Sequence, residues 1–320
     1  MKPPYQITNK ILNLYGEINQ TLGVATSLLL IKPKAQLRKT NRVASIHSSL
    51  AIEGNSLEIK QVSALVDKQN VIAKAKDIIE VENAIKAYEA IGKFDSTNID
   101  HFLKAHKLLT TNLIKSSGKF RTSQVGISKQ GNISHIAPHW ELVNSLMVNL
   151  FSYIKNDDDH KIIKSCVFHY EVEFIHPFTD GNGRMGRYWQ TRLLMDVNPI
   201  FEFVPIEKII KERQQEYYEV LAECDNQGSS TKFIEFMLDA INIALKETVN
   251  NSLPSISSYK RRVEYALANL NGWFDRKDYL NVCKGISTAT ASRDLKQLLD
   301  EKRITSKGSL RMTKYKKRGE

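Results

Sequence analysis

Apolar residues recur with a period near 3.6 along most of residues 1–247, a pattern that predicts a mainly helical protein. The clearest stretches are DIIEVENAIKAYEAIGKF from 77, WELVNSLMVNLFSYIKND from 140, IIKERQQEYYEVLAECD from 209 and TKFIEFMLDAINIALKETV from 231. Each stretch collects its apolar positions on one face. We therefore expect these segments to pack as helices around a common core.

A different pattern occupies VGISKQGNISHIAP, residues 125–138. Val125 and Ile127 alternate with small or polar residues, and Gln130-Gly131-Asn132 then separates them from Ile133 and Ile136. This arrangement around a glycine-containing turn predicts a short β-hairpin.

The helical pattern breaks at NNSLPSISS, residues 250–258, which is polar and contains one proline. This composition predicts a linker between domains. Beyond it, three helical segments are followed by two short strands in TSKGSLRMTKY, around Lys307-Gly308. That order predicts a small winged helix-turn-helix domain, with STATASRDLKQLLDEKRI as the recognition helix and SKGSLRM as the wing.

The 320-residue chain has a formal charge of +11, and the charge is unevenly distributed. Residues 259–320 hold 16 Lys and Arg against 7 Asp and Glu, which leaves 30 against 28 for the remainder of the chain. A basic surplus in the C-terminal segment assigns any nucleic-acid contact to that segment. We predict DNA contacts through Thr288, Thr290, Ser292 and Arg293. Protein interaction or dimerisation is the alternative role, and a second copy of the chain is a further predicted partner.

The sequence also argues against several classes of protein. It has no apolar run long enough to span a bilayer, and its N-terminus lacks the layout of a signal peptide. Cys166, Cys224 and Cys283 lie far apart, which argues against a disulfide framework or a zinc site. We therefore expect a cytoplasmic protein that does not enter a membrane.

One segment, HPFTDGNGRMGR at 176–187, interrupts the helical pattern with a turn and resumes it with two arginines. Its glycines let backbone amides converge on an anion at the start of the following helix. Asp180 is an oxygen ligand of the kind that magnesium uses, and His176 can take a proton near neutral pH. Arg184 and Arg187 can grip phosphate oxygens by paired hydrogen bonds. The segment therefore predicts chemistry at a nucleotide phosphorus.

The stretch GNGRMG, residues 181–186, also satisfies the G-x-G-x-x-G pattern of dinucleotide-binding folds. That interpretation requires a preceding strand inside a βαβ unit, whereas the stretch before this motif is predicted to be helical. We therefore favour phosphate-group transfer over dinucleotide binding.

Residues 176–187 match every fixed position of H-P-F-x-[D/E]-G-N-G-R-x-x-R, so the chain resembles the Fic domain family. The resemblance covers roughly residues 1–245 and includes GKFRTSQVGI before the motif and EYYEVLAECDNQGSSTKFIEFML behind it. It implies a helical Fic fold with a hairpin flap. Family members typically transfer AMP from ATP to a protein hydroxyl and release pyrophosphate. The implied ligands are therefore ATP, Mg²⁺ and a target protein with a Ser, Thr or Tyr hydroxyl.

The resemblance, the polar linker and the C-terminal pattern together give the predicted domain boundaries. An N-terminal helical region would occupy residues 1–95 and the Fic core residues 96–247. A linker at 248–258 and a winged-helix domain at 259–320 complete the predicted organisation.

Roles for individual residues follow from the same resemblance. His176 would deprotonate the target hydroxyl, and Asp180 would hold magnesium. The ATP phosphates would be held by Gly181, Asn182, Gly183, Arg184 and Arg187. The target would be aligned as an added strand by the flap residues Val125, Gly126, Ile127 and Ser128. Tyr217 or Tyr218 would lie against the nucleotide base, with a simple core aromatic as the alternative for each.

A second motif, SSLAIEGN at 48–55, places Ser49 and Glu53 on one helical face, with Gly54 ending the helix. It resembles the family's inhibitory sequence [S/T]-x-x-x-E-[G/N], whose glutamate pairs with the second motif arginine, here Arg187. This implies an adenylyltransferase autoinhibited by Glu53. The alternatives are an enzyme that removes AMP, one that transfers another phosphate-containing group, and a DNA-binding regulator whose Fic domain senses nucleotide.

Overall fold

The structure is a computed structural model that describes residues 2–27, 33–129, 132–252, 259–283, 286–309 and 313–318. Within these ranges the protein is mainly helical and contains two separate pairs of antiparallel strands. The predicted fold class, helices with a short β-hairpin, is therefore confirmed. The chain forms two units, residues 1–252 and 253–320, and each unit has its own hydrophobic core. No helix among the described residues is long and apolar enough to cross a membrane.

The first unit is built from helices and one hairpin. Its helices are α1 (Asn9–Ser27), α2 (Ala35–Ile52), α3 (Ile59–Val66), α4 (Ala75–Ala90), α5 (Ile99–Thr110), α6 (Trp140–Asn156), α7 (Lys161–Ile175), α8 (Asn182–Met195), α9 (Ile206–Glu212), α10 (Gln214–Gln227) and α11 (Thr231–Ser252).

Helices α7 and α8 lie at the centre of this unit, because α7 is apolar on nearly every side and is buried accordingly. An aromatic cluster packs against both helices. Phe102 of α5 makes edge-to-face contact with Phe168 of α7 at 5.7 Å and with Trp189 of α8 at 5.2 Å, measured between ring centroids. Each such pair contributes about 0.5–1.5 kcal/mol beyond its buried area. Phe178, in the loop between α7 and α8, packs on Phe102 at 5.4 Å and fixes that loop onto the core.

The predicted helix from residue 209 is interrupted once. Arg213 separates α9 from α10 with non-helical backbone angles of φ −113° and ψ 33°. Its guanidinium bonds Glu216 at 2.7 Å and Asp239 of α11 at 2.7 Å. The side chain thus bonds α11 as well as its own helix. Such a tertiary contact can override helix propensity, and the apolar period of the sequence does not reveal it.

The hairpin consists of β1 (Gly126–Lys129) and β2 (Asn132–Ile136), paired antiparallel with Gly126 opposite Ile136. The pairing register shifts between Ile127 and Ser128. The predicted turn residues 130 and 131 lie outside the described residues.

The second unit contains α12 (Tyr259–Asn269), α13 (Arg276–Val282), α14 (Thr288–Asp300), β3 (Ile304–Lys307) and β4 (Lys314–Lys317). Strand β4 starts later than the pattern from residue 305 predicts, and residues 310–312 of the predicted wing lie outside the described residues. Phe274 pairs with Tyr315 of β4 as an isolated bridge, which adds a third short stretch beside the β3–β4 pair. The predicted linker also needs a correction, because α11 continues to Ser252 and residues 253–258 lie outside the described residues.

Candidate active site

The motif 176–187 forms the connection between α7 and α8. His176 ends α7 with a left-handed backbone, φ 50°, and Gly181 precedes α8 with φ 87°. The Phe178 amide donates to the Asn182 Oδ1 at 2.8 Å, and the Asn182 Nδ2 donates back to the Phe178 carbonyl at 2.9 Å. These two bonds close the loop into a tight turn. Gly181 has no side chain, so it provides no acceptor for the free amides of the first turn of α8.

A cavity of about 500 Å³ opens in front of this turn, and we call it the motif pocket. Nine residues predicted from the sequence line it: Glu53, His176, Asp180, Gly181, Asn182, Gly183, Arg187, Tyr217 and Tyr218. The pocket size is within the range of roughly 300–1,000 Å³ that small-molecule sites occupy.

Glu53 reaches into the motif pocket from the end of α2 and pairs with Arg187. The Arg187 Nη2 lies 2.6 Å from the Glu53 Oε1 and also donates to the Ser49 carbonyl at 3.0 Å. The Arg187 Nε donates to the Ser49 Oγ at 3.1 Å. Burial alone would lower the pKa of Arg187, but the Glu53 carboxylate raises it above its usual range. The guanidinium is therefore charged and already has an anionic partner.

Gly183 provides the space for this pair. A Cβ at residue 183 would collide with the Glu53 Oε1 and would lie 3.0 Å from the Arg187 Nη1. The glycine therefore has a steric function in addition to the anion-binding one predicted from the sequence.

Arg184 lies elsewhere, since it does not line the motif pocket. Its side chain is 4% exposed and lies between Asp180, whose Oδ1 is 3.2 Å from Nη2, and Glu80, whose Oε1 is 3.6 Å from Nη1. The Nε and Nη1 atoms are buried without a hydrogen-bond partner among the described residues. This guanidinium thus has unused donors directly behind Asp180.

Tyr217 and Tyr218 differ in their surroundings. Tyr217 is buried, and its hydroxyl donates to the Glu173 Oε1 at 3.0 Å while the His169 Nε2 lies 3.0 Å away. Tyr218 is half-buried, and its hydroxyl donates to the Ile52 carbonyl at 3.4 Å. Both rings reach the pocket wall, but Tyr217 is also a core aromatic.

Glu173 is a pocket residue that the sequence reasoning missed. Burial alone would raise the pKa of its carboxyl, yet the His169 ring, whose Nε2 lies 3.7 Å from the Oε1, and the charge of Arg187 hold that pKa below the usual range. A second carboxylate therefore faces the pocket beside Glu53. The only sequence signal is its place three residues before His176.

His106 of α5 is a second residue that the sequence reasoning missed. The Gly118 amide donates to its Nδ1 at 3.0 Å, so its Nε2 carries the proton and donates to the Asp180 carbonyl at 3.0 Å. Its ring stacks on Phe178 with centroids 3.6 Å apart. Burial lowers the pKa of His106 to about 4, so the ring is neutral at physiological pH. Its hydrogen bond to the carbonyl positions the backbone of Asp180.

Arg121 is a third such residue and connects the hairpin to His176. Its side chain is buried, and the guanidinium donates only to backbone carbonyls in the bonds described. The Nε donates to His176 at 2.8 Å and the Nη1 to Ser123 at 3.0 Å, while the Nη2 donates to Pro138 at 2.5 Å and to Ile175 at 3.4 Å. Ser123 precedes β1 and Pro138 follows β2, so one side chain holds both ends of the hairpin and the carbonyl of His176. Among the predicted flap residues, Val125 is half-buried at the start of the hairpin.

The predicted DNA-contacting residues lie on the first turns of α14. Thr288, Ser292 and Arg293 are exposed, Thr290 is half-buried, and Ser292 accepts from the Arg276 Nη1 at 3.1 Å. Thr288 and Ser292 line a second cavity of about 330 Å³, together with Arg276, Lys277 and Lys296. The second unit thus presents cations and hydroxyls on one exposed surface.

Comparison with known proteins supports the same interpretation of the first unit. Residues 96–194 match the Fic/DOC family. The structure is similar to a Fic family protein from Desulfovibrio desulfuricans G20, with 34% identity, a TM-score of 0.75 and coverage of 100% of this chain and 99% of that one.

Curated relatives match a smaller share of their own length. A protein adenylyltransferase Fic from Nematostella vectensis is 28% identical over 203 residues, 60% of this chain and 45% of the relative. One from Aedes aegypti is 25% identical over 251 residues, 68% of this chain and 48% of the relative. The chain therefore spans about half the length of the curated relatives that it matches.

Proposed function

The chain belongs to the Fic family, and from this membership we propose that it is a protein adenylyltransferase. It would move AMP from ATP to a Ser, Thr or Tyr hydroxyl of a target protein or of itself. The observation that carries this proposal is the pocket in which a histidine, a carboxylate and a helix N-terminus surround one cavity of nucleotide size.

In the proposed reaction, His176 is the general base. Its Nδ1 lies 3.4 Å from the Glu173 carbonyl, a contact in which Nδ1–H donates and Nε2 becomes the basic nitrogen. The target hydroxyl oxygen attacks the α-phosphorus, its proton passes to Nε2, and the bond to the pyrophosphate oxygen breaks. Arg121 would keep the His176 backbone and the flap in register during this step.

The phosphates would be held by the first amides of α8, at Gly181, Asn182 and Gly183, where the helix dipole favours an anion. Arg187 would bind the γ-phosphate once Glu53 has left it. The Arg184 guanidinium has buried donors without partners behind Asp180. These donors would bind a phosphate or carboxylate oxygen that lies close to Asp180.

Magnesium fits this site through Asp180. The Asp180 carboxylate is half-exposed on the pocket, and magnesium beside a nucleotide often takes few protein ligands plus phosphate and water oxygens. When bound, the ion would neutralise the charge that develops on the phosphates.

We further propose that Glu53 inhibits the enzyme. A carboxylate and a γ-phosphate are both anions, so they compete for the Arg187 guanidinium. The 2.6 Å ion pair, supported by both bonds to Ser49, is the geometry that this inhibition requires.

The second unit is proposed to be a winged-helix domain that binds duplex DNA. Its order of three helices and two strands, with the extra bridge at Phe274, supports a winged-helix assignment. The exposed Thr288, Ser292 and Arg293 on α14 and the local basic surplus support a contact with DNA.

The test of the transferase proposal is incubation of the Glu53→Gly protein with labelled ATP and a cell lysate. We expect labelled protein bands whose added mass is that of AMP. Labelled bands with a different added mass would point to transfer of another phosphate-containing group. Loss of AMP from previously modified proteins, without new labelling, would favour an enzyme that removes AMP.

A further inference from the structure

A chain of polar side chains, buried at Glu80 and Arg184, connects the turn after Glu53 with the back of the motif. The Asn55 Nδ2 donates to the Glu80 Oε2 at 2.8 Å, and the other oxygen of Glu80 lies 3.6 Å from the Arg184 Nη1. The Arg184 Nη2 in turn lies 3.2 Å from the Asp180 Oδ1. Three side chains, none of which lines the motif pocket, thus join the inhibitory segment to Asp180, the predicted magnesium ligand.

Asn55 is the part of this chain that bears on Glu53. It follows Glu53 by two residues, and its amide donates to the Leu50 carbonyl at 3.1 Å, inside the last turn of α2. Its Nδ2 also donates to the Asp77 carbonyl of α4 at 3.1 Å. A residue held in this way sets the direction in which α2 ends, and therefore the direction in which Glu53 points.

Glu80 is the centre of the chain. It is 8% exposed, and a buried carboxylate needs a compensating charge. Arg184 is the buried cation that supplies this charge, while Lys76, at 3.9 Å, is largely exposed and contributes little. At 3.6 Å the Glu80–Arg184 pair is an ion pair without a hydrogen bond, so Glu80 holds Arg184 by its charge alone.

We infer that Glu80 is a positioning residue that holds the Asn55 turn, keeps Glu53 on Arg187 and restrains Arg184 from the nucleotide phosphates. This inference rests on the proposed transferase activity and its inhibition by Glu53. Glu80 touches neither substrate in this role, and it acts through Asn55 on one side and through Arg184 on the other.

Activity in two backgrounds separates positioning from a general structural effect. Glu80→Ala should raise AMP incorporation by about tenfold in the otherwise wild-type protein, the effect of losing one hydrogen bond to a charged acceptor. At saturating ATP, where a change in ATP affinity no longer affects the rate, the same substitution should give no rise in the Glu53→Gly background, because there is no inhibitory carboxylate to position. A rise of equal size in both backgrounds, or none in a folded wild-type background, would overturn the inference.

The milder variant Glu80→Gln tests the Arg184 side of the chain. It removes the charge with little change in shape, so ATP affinity in the Glu53→Gly background should rise several-fold, measured by calorimetry. An unchanged affinity would overturn this half of the inference. Glu82→Ala is the matched control, because Glu82 is an exposed carboxylate on the same helix.

Hydrogen exchange gives a readout that does not depend on catalysis. The amides of Gly54 and Asn55 donate to α2 carbonyls at 3.2 Å and 3.1 Å, and Glu80→Ala should accelerate their exchange while amides of α7 keep their protection. If no variant transfers AMP but these amides exchange faster, the transferase proposal fails and the positioning role of Glu80 stands. Unchanged exchange at both amides would remove that role.

Discussion

Substitution of Glu53 by glycine is the most informative change in the motif pocket. It removes the carboxylate from Arg187 and leaves the guanidinium to the γ-phosphate of ATP. The Ser49 bonds to Arg187 remain, so the arginine stays in place while its anionic partner is lost.

The size of the effect follows from the burial of the pair. An exposed ion pair contributes about 0–1 kcal/mol, whereas breaking a buried pair costs about 3–5 kcal/mol. The Arg187 side chain is 1% exposed and that of Glu53 is 36% exposed, which places this pair between the two limits. We take about 2 kcal/mol, which corresponds to roughly 30-fold in rate.

The assay is AMP incorporation into the protein itself and into lysate proteins, with ATP and magnesium held constant. Glu53→Gln, which keeps the shape but not the charge, should give much of the same increase. Glu53→Asp keeps the charge and should remain close to wild type. Folded Glu53→Gly protein with an unchanged rate would refute the inhibition while leaving the transferase proposal intact. A Glu53→Gln variant as slow as wild type would show that the shape of the Glu53 side chain, and not its charge, inhibits AMP transfer.

Three further predictions concern the base, a buried histidine and the second unit. His176→Ala should retain ATP binding and lose about 10²–10⁴-fold in transfer, measured by calorimetry and AMP incorporation in the Glu53→Gly background; undiminished transfer would exclude His176 as the base. The pKa of His106 is lowered from 6.5 to about 4 in the native state, so between these pH values the ring is protonated in the unfolded chain and neutral in the native protein. The free energy of unfolding should therefore fall by about 2 kcal/mol from pH 7 to pH 5. Thermal unfolding should show a smaller fall for His106→Gln, and equal falls would contradict this origin. The full-length chain should bind duplex DNA with an affinity that drops steeply with salt, and Arg293→Ala should weaken it; no binding at low salt would favour a protein-interaction role for the second unit.

The helices could be predicted well from the sequence, because their apolar period is set by local spacing. The break at Arg213 could not, since its partner Asp239 lies on another helix. The hairpin followed from alternation and a glycine-containing turn, although its register shift between Ile127 and Ser128 left no visible sequence signal.

The candidate site divides in the same way. The motif from His176 to Arg187 is contiguous, so its residues could be named from the sequence. Arg121 and His106 donate to backbone carbonyls of distant segments. Every residue has a backbone carbonyl, so the sequence does not show which one a side chain will bond. The position of Arg184 behind the pocket could not be predicted, because it depends on Glu80, a residue of another helix.

The most direct test of adenylyl transfer uses purified Glu53→Gly protein and ATP labelled in either the α- or the γ-phosphate. The double variant with His176→Ala is the matched control, because it keeps the phosphate-binding residues and lacks only the base. We predict that label from the α-phosphate becomes attached to protein in a His176-dependent manner and that label from the γ-phosphate does not. Attachment of the γ-label, or α-label attachment that persists without His176, would contradict the proposed reaction.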